Sequence, residues 1–89
     1  MNEQIKRKWI KALRSGKYMQ TIVGMYEYHG SYCCLGVLGC LVKADLDCWR
    51  FSDITIRTGL DIAAIENLAD LNDSGATFEQ IALCIENGL

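Results

Sequence analysis

The chain has 89 residues, of which 51% are hydrophobic and 22% are charged, and its formal net charge is −2. This length allows one domain with a single modest core, and the composition is that of a folded protein rather than a disordered one. No apolar run approaches the roughly 20 residues of a membrane-spanning helix, and the first residues lack the apolar segment of a signal peptide. We therefore expect one domain over residues 1–89, in the cytoplasm and away from membranes.

The first element is predicted to be an amphipathic helix from about Asn2 to Ser15. Ile5 and Trp9 lie on one stripe at helical spacing, while basic side chains cover the rest of the surface. Asn2 is a suitable N-cap, and Gly16 suits a left-handed stop.

The segment from Tyr18 to Tyr32 is predicted to form a β-hairpin, because tyrosine and β-branched residues are dense in it. His29 and Gly30 occupy the place where a tight turn needs positive φ angles, so His29 should be exposed. Gly24 in the first strand suggests a bulge or a close approach of another backbone.

The segment from Cys34 to Ala44 is apolar almost all round and is predicted to be a buried central helix. Gly36 and Gly39 lower its helix propensity, which suggests that another backbone packs closely there. The following segment, residues 45–59, is predicted to be a loop with a short strand at Ile54 to Arg57.

Two further helices are predicted at the end of the chain. The first has an apolar stripe of Ile62, Ile65, Leu68, Ala69 and Leu71. The second begins with a capping box at Thr77–Gln80, after a break over residues 72–76. The predicted fold is α+β, with about four helices packed on a two-stranded hairpin around a single-layer core formed by Trp9, Leu38, Leu41, Ile65, Leu68, Phe78 and Ile81.

The five cysteines do not indicate chemistry of their own. Their odd number and irregular spacing favour reduced thiols that act mainly as small apolar side chains. Five residues could be combined into a candidate metal site: His29, Cys33, Cys34, Cys40 and Cys48. Their spacing lacks the paired short intervals between ligands that are typical of structural zinc. No third group marks a catalytic Cys–His pair, so we predict no catalytic residue, no metal and no cofactor.

Binding residues are predicted in three places. Tyr26 and Tyr28 would share one face of the hairpin and could anchor a partner. Lys11 and Arg14 belong to the basic face of the first helix, where six basic side chains accompany one acidic one in residues 1–17. The remainder of the chain is acidic, which disfavours nucleic acid as the partner. In the loop after the central helix, Arg50 and Arg57 are candidate partners of an anion.

Three segments together resemble a group of small uncharacterised proteins of tailed bacteriophages. They are KWIKALRSGKY at residues 8–18, CCLGVL at residues 33–38 and LNDSGATFEQIA at residues 71–82. The resemblance implies a phage protein in the host cytoplasm, and small phage proteins without enzyme motifs often act by binding. It implies no catalytic or binding residue.

From this resemblance we expect a non-enzymatic binding protein that inhibits a host protein, for counter-defence or host takeover. The alternative is an oligomeric sponge that sequesters an anionic nucleotide signal between subunits, with Arg50, Arg57 and tyrosines as contacts. A structural zinc or redox protein is the third possibility.

Overall fold

The computed structural model describes residues 1–88, which form five helices and three short strands. In chain order the elements are α1 (Glu3–Arg14), β1 (Met19–Gln20), β2 (Glu27–Tyr28), β3 (Ser31–Tyr32), α2 (Cys34–Leu41), α3 (Phe51–Thr58), α4 (Ile62–Asp73) and α5 (Phe78–Gly88). The α+β class is confirmed, with one helix and one strand more than predicted. Within the described residues, no helix is long and apolar enough to cross a membrane.

Local capping sets the ends of α1 and α5. Asn2 Oδ1 accepts a hydrogen bond from the backbone N–H of Ile5 at 3.0 Å, and Gly16 follows the helix with a φ of 75°. Before α5, Gln80 Oε1 accepts from the Thr77 N–H at 2.9 Å, and Thr77 Oγ1 accepts from the Gln80 N–H at 3.2 Å. Both predicted N-terminal caps are therefore confirmed.

The core lies where α1 packs against α5 and α2, and α2 in turn against α4. Trp9 is fully buried, and its indole N–H donates a hydrogen bond to the Cys34 carbonyl at 2.9 Å. Six of the seven predicted core residues are buried. Leu41 is the exception: it is half-buried, because it lies in the last turn of α2 at the edge of the core.

Helix α4 runs further than predicted and presents a different face. It continues to Asp73, so the predicted break at Asn72 was wrong. Ile62 and Leu71, placed on the apolar stripe, are 41% and 36% exposed, whereas Asn72 is completely buried. The end of this helix is therefore oriented so that Asn72 faces the interior, where its amide forms hydrogen bonds.

The predicted hairpin is correct only in its second half. Strands β2 and β3 pair antiparallel across the turn at His29 and Gly30, whose φ angles are 50° and 83°. Strand β1 instead runs parallel to β3, so β3 is the central strand. The intervening residues 21–26 form a loop in which Gly24 has a φ of 79°, so Gly24 does not lie inside a strand.

The strand predicted at Ile54 to Arg57 was wrong, because these residues belong to α3. Asp53 Oδ2 accepts a hydrogen bond from the Arg50 N–H at 3.0 Å at the start of the helix, and Gly59 ends it with a φ of 77°. Ile54 and Thr58, one turn apart, are both buried. Capping and burial thus override the strand preference of the β-branched residues here.

The two glycines of α2 make room for neighbours, as their positions suggested. A Cβ on Gly36 would lie 2.8 Å from the backbone carbonyl carbon of Tyr26, so a second backbone does approach closely there. At Gly39 the neighbours are side chains rather than a backbone, since a Cβ would meet Cδ2 of Leu46 and lie 2.7 Å from Cζ3 of Trp49. Both contacts position aromatic residues beside α2.

Candidate binding cleft

A cleft of about 490 Å³ opens beside α2, between the loop that precedes β2, the connection from α2 to α3, and the second half of α4. This volume lies within the range of ligand-binding clefts. Twelve residues line it: Gly24, Met25, Tyr26, Glu27, Cys33, Leu35, Leu46, Asp47, Trp49, Phe51, Ala69 and Asp73.

Aromatic rings form one part of the cleft wall. The rings of Tyr26 and Trp49 contact each other with centroids 5.5 Å apart and planes inclined at 55°. The Tyr26 backbone is fixed because its carbonyl accepts a hydrogen bond from the Cys33 N–H at 3.1 Å. Trp49 is only 6% exposed, yet its Nε1 has no hydrogen-bond partner in the described part of the chain.

Asn72, next to the cleft residue Asp73, connects three segments of the chain. Its Oδ1 accepts hydrogen bonds from Gln20 Nε2 at 3.0 Å and from the Cys34 N–H at 3.1 Å. Its Nδ2 donates to the Thr21 carbonyl at 2.8 Å and to Asp73 Oδ1 at 3.3 Å. The buried amide of Asn72 thus fixes the relative positions of β1, the start of α2 and the end of α4.

The charged residues of the cleft are all acidic. Glu27, Asp47 and Asp73 line it, and the lining residues include no lysine or arginine. Because three carboxylates border apolar walls, the local potential favours a cation and disfavours an anion.

The pKa values of two groups that line the cleft, Tyr26 and Cys33, are both raised. Burial is the main reason why the pKa of the Tyr26 hydroxyl is raised; the charge that Cys33 carries once its thiol has ionised, and the charge of Asp53, add to the rise. Burial also raises the pKa of the Cys33 thiol; the N–H of Gly36 acts in the opposite direction, and the charge of Asp73 adds to the rise. A thiol whose pKa is raised is protonated at neutral pH and is a poor nucleophile.

Residues 1–64 match the family described as "Domain of unknown function (DUF8296)". The chain belongs to this family. No curated protein and no solved structure matches this chain. The matched part of this DUF8296 chain contains every residue of the cleft lining except Ala69 and Asp73.

The two predicted tyrosines lie in different environments of the DUF8296 chain. Tyr26 is half-buried in the cleft wall, before β2 begins. Tyr28 is 45% exposed and lies edge-on to the His29 ring, with centroids 4.3 Å apart. His29 is exposed in the turn, as predicted.

The four predicted basic residues do not converge on the cleft. Lys11 is exposed on α1. Arg14 pairs with Glu79 at 3.1 Å and with Glu86 at 3.0 Å. Its pKa is raised chiefly by the hydrogen bond to Glu86, and that of Glu86 is lowered by the same bond.

The two arginines that flank α3 also lie outside the cleft lining. Arg50 is exposed just before the helix, and its backbone N–H is capped by Asp53. The Arg57 guanidinium donates a hydrogen bond to the Val42 carbonyl. Neither arginine meets Tyr26 at a common site.

The cysteines divide into buried and accessible ones. Cys33 and Cys34 are buried, Cys40 is half-buried, and Cys48 and Cys84 are exposed, all as free thiols. Burial raises the pKa of the Cys34 thiol strongly. Within residues 1–88, no three His, Cys, Asp or Glu side chains lie close enough together to hold a metal ion.

A second feature adjoins the cleft: an apolar surface, here called the 19–28 surface, on the sheet and the loop before β2. It consists of Met19, Ile22, Val23, Met25 and Tyr28, which are between 45% and 72% exposed. Met25 also lines the cleft, so the two features are continuous. The density of apolar residues in this segment was visible in the sequence, but it suggested a strand with one buried face.

Proposed function

We propose that this chain is a non-catalytic bacteriophage protein that binds and inhibits a host protein through the 19–28 surface. The observation that carries this proposal is the concentration of exposed apolar side chains. Of the nine large apolar side chains exposed in the described residues, five lie in this ten-residue segment. Scattered exposed apolar residues are ordinary on a protein surface, whereas their concentration in one short segment indicates a contact surface.

The character of the cleft supports binding over catalysis. Its one candidate nucleophile, Cys33, has a raised pKa, and the histidine of the chain is exposed in the β2–β3 turn rather than among the lining residues. A nucleophile without an adjacent base lacks the arrangement that covalent catalysis requires.

The nucleotide-sponge alternative receives less support. An anionic ligand would meet the carboxylates of Glu27, Asp47 and Asp73 in the cleft. Arg50 and Arg57, the residues expected to hold its phosphates, lie outside that lining. A sponge would therefore have to build its site elsewhere, between subunits.

The proposal is tested by photo-crosslinking in phage-infected cells. A photoreactive phenylalanine derivative replaces Val23, and crosslinked host proteins are identified by mass spectrometry. We expect one saturable host partner. We also expect the purified partner to bind wild-type protein and to lose at least about ten-fold in affinity for the Ile22→Ser, Val23→Ser double variant, because truncating interface anchors typically costs more than 1 kcal/mol each.

The matched control is Ile56→Ser, since Ile56 is 81% exposed on α3, outside the 19–28 surface and the cleft lining. This variant should bind the partner as the wild type does. Equal loss in both variants, or crosslinks with no saturable partner, would contradict the proposal. A co-purifying nucleotide held by a stable oligomer would favour the sponge instead.

A further inference from the structure

We propose that the cleft binds a lysine or arginine side chain of a partner protein, presented on a peptide segment whose apolar neighbours pack on the 19–28 surface. This inference rests on the proposed function and adds the chemistry of the partner. Of the binding residues predicted from the sequence, it uses Tyr26 in the cleft and Tyr28 on the 19–28 surface.

The walls of the cleft suit a long side chain with a charged end. Leu35 and Leu46 provide aliphatic contacts along which the methylene groups of lysine or arginine can pack. Tyr26, Trp49 and Phe51 provide aromatic rings, and a cation held against such a ring is stabilised by its quadrupole. A cleft of about 490 Å³ also has room for part of the adjoining backbone.

The charges of the residues that line the cleft favour a positively charged ligand. Glu27 and Asp47 are exposed at the cleft, and Asp73 is fixed beside it by the hydrogen bond from Asn72. With three carboxylates and no basic side chain in the lining, a cation gains electrostatic attraction that an acidic or neutral side chain does not.

Two observations favour a peptide over a free amine. Met25 belongs both to the cleft and to the 19–28 surface, so a ligand can fill the cleft and cover that surface without a gap. Within residues 1–88, Trp49 Nε1 is a buried donor without an acceptor, and an unpaired buried donor is unfavourable. When the ring turns toward the cleft, a peptide carbonyl can accept from this N–H, whereas a simple amine brings no carbonyl.

The test uses the full chain, labelled with a nitrogen isotope, and end-blocked tripeptides in which leucines flank lysine, arginine, norleucine or glutamate. The chain has two tryptophans, so its spectrum has two indole N–H signals. We expect the lysine and arginine peptides to shift the Trp49 signal saturably and to leave that of Trp9 unchanged. Binding of the norleucine peptide should be at least about five-fold weaker, because it lacks the charge.

A charge-neutralising pair of variants sharpens the test. Glu27→Gln with Asp47→Asn should weaken the lysine peptide by about 3- to 10-fold, as expected for two partly solvated carboxylates. The matched control, Glu66→Gln with Asp70→Asn, removes two exposed carboxylates of α4 that do not line the cleft, and it should leave binding unchanged.

The inference would be overturned by a Trp49 signal that responds to no peptide, by equal binding of the norleucine or glutamate peptide, or by butylammonium binding as tightly as the lysine peptide. A Trp49 shift on raising the concentration of the chain alone would identify a second copy as the occupant and would overturn it as well. If crosslinking finds a host partner but Trp49 ignores the peptides, the inference fails and the proposed function stands. The reverse pattern retains the cation-binding cleft and rejects the host-inhibitor function.

Discussion

The surroundings of Trp9 and Trp49 differ in how completely they satisfy a buried indole. Trp9 is 0% exposed, and its N–H donates to the Cys34 carbonyl at 2.9 Å. Trp49 is 6% exposed and lines the cleft, and its N–H has no acceptor within residues 1–88. The indole N–H of Trp9 is therefore satisfied inside the protein, whereas that of Trp49 is buried without a partner.

The contrast extends to the segments around each ring. Trp9 lies in α1, a helix with a local cap that packs against α2 and α5. Trp49 lies in a connection between helices and depends on Gly39 for its space and on Tyr26 for its ring contact. Loops held by a rigid scaffold are where binding residues are concentrated.

The largest expected effect comes from truncating the two tryptophans. Trp9→Ala should lower the free energy of unfolding by about 3–5 kcal/mol, because it empties the core and removes a buried hydrogen bond. Trp49→Ala should lower it by about 1–3 kcal/mol, because the ring borders the cleft and its N–H makes no hydrogen bond to residues 1–88 that would be lost. Urea denaturation followed by circular dichroism measures both. An equal loss in the free energy of unfolding of both variants would contradict the distinction between a core tryptophan and a cleft tryptophan.

Removing the Asn72 amide should have the next largest effect. Asn72→Ala should lower the free energy of unfolding by about 2–4 kcal/mol, since it leaves buried backbone groups of Thr21 and Cys34 unpaired. It should also shift the Trp49 indole signal, because the end of α4, which lines the cleft, loses its hydrogen bonds to the start of α2 and to Thr21. The control is Asn67→Ala on the exposed face of the same helix, and a comparable loss there would contradict the role of Asn72.

A methyl group at Gly36 should act on the cleft more than on the core. In Gly36→Ala the new Cβ meets the Tyr26 backbone. Overpacking costs about 1–3 kcal/mol, and the gain of about 1 kcal/mol in helix propensity offsets part of it. Urea denaturation and the two indole signals provide the measurement, with Trp49 displaced and Trp9 retained. A net stabilisation would show that the contact is easily relieved.

The smallest expected effect is a loss of stability at alkaline pH. The pKa values of Cys33 and Cys34 are raised in the folded chain, so the native state keeps these protons after the unfolded chain loses them at about pH 8.5. Because the unfolded state then binds fewer protons, the free energy of unfolding falls as pH rises above that value.

Urea denaturation between about pH 8 and pH 9.5, below the tyrosine range, measures this slope. Cys33→Ala with Cys34→Ala should flatten it. The control, Cys48→Ala with Cys84→Ala, removes two exposed thiols and should leave it in place. An unchanged slope in the first pair would contradict the assignment to the buried thiols.

The parts of the fold that the sequence predicted are those determined locally. Asn2 and the Thr77–Gln80 capping box mark helix starts through contacts within four residues, and His29-Gly30 marks a turn through backbone preference. Helix α3 was missed because Ile54 and its β-branched neighbours favour a strand when only local preference is considered. The signals for a helix were Asp53 three residues after its cap and Gly59 at its end.

The cleft could not be predicted because its parts meet only through long-range contacts. Asn72 in a polar segment is typical of a turn, and its burial depends on partners more than 35 residues away in sequence. Gly36 and Gly39 did indicate close neighbours, but not that these would be Tyr26 and Trp49. Tyr26 was selected for its residue type, whereas the acidic lining followed only from the structure.

The most direct test of this account is the exchange rate of the two indole protons, measured with and without the blocked lysine peptide. The Trp9 proton, which is hydrogen-bonded in the core, should exchange slowly in both conditions. The Trp49 proton should exchange faster in the free chain and slow down when the peptide is bound. Equal protection of both protons in the free chain, or no change at Trp49 on adding the peptide, would contradict the assignment of this cleft as the binding site.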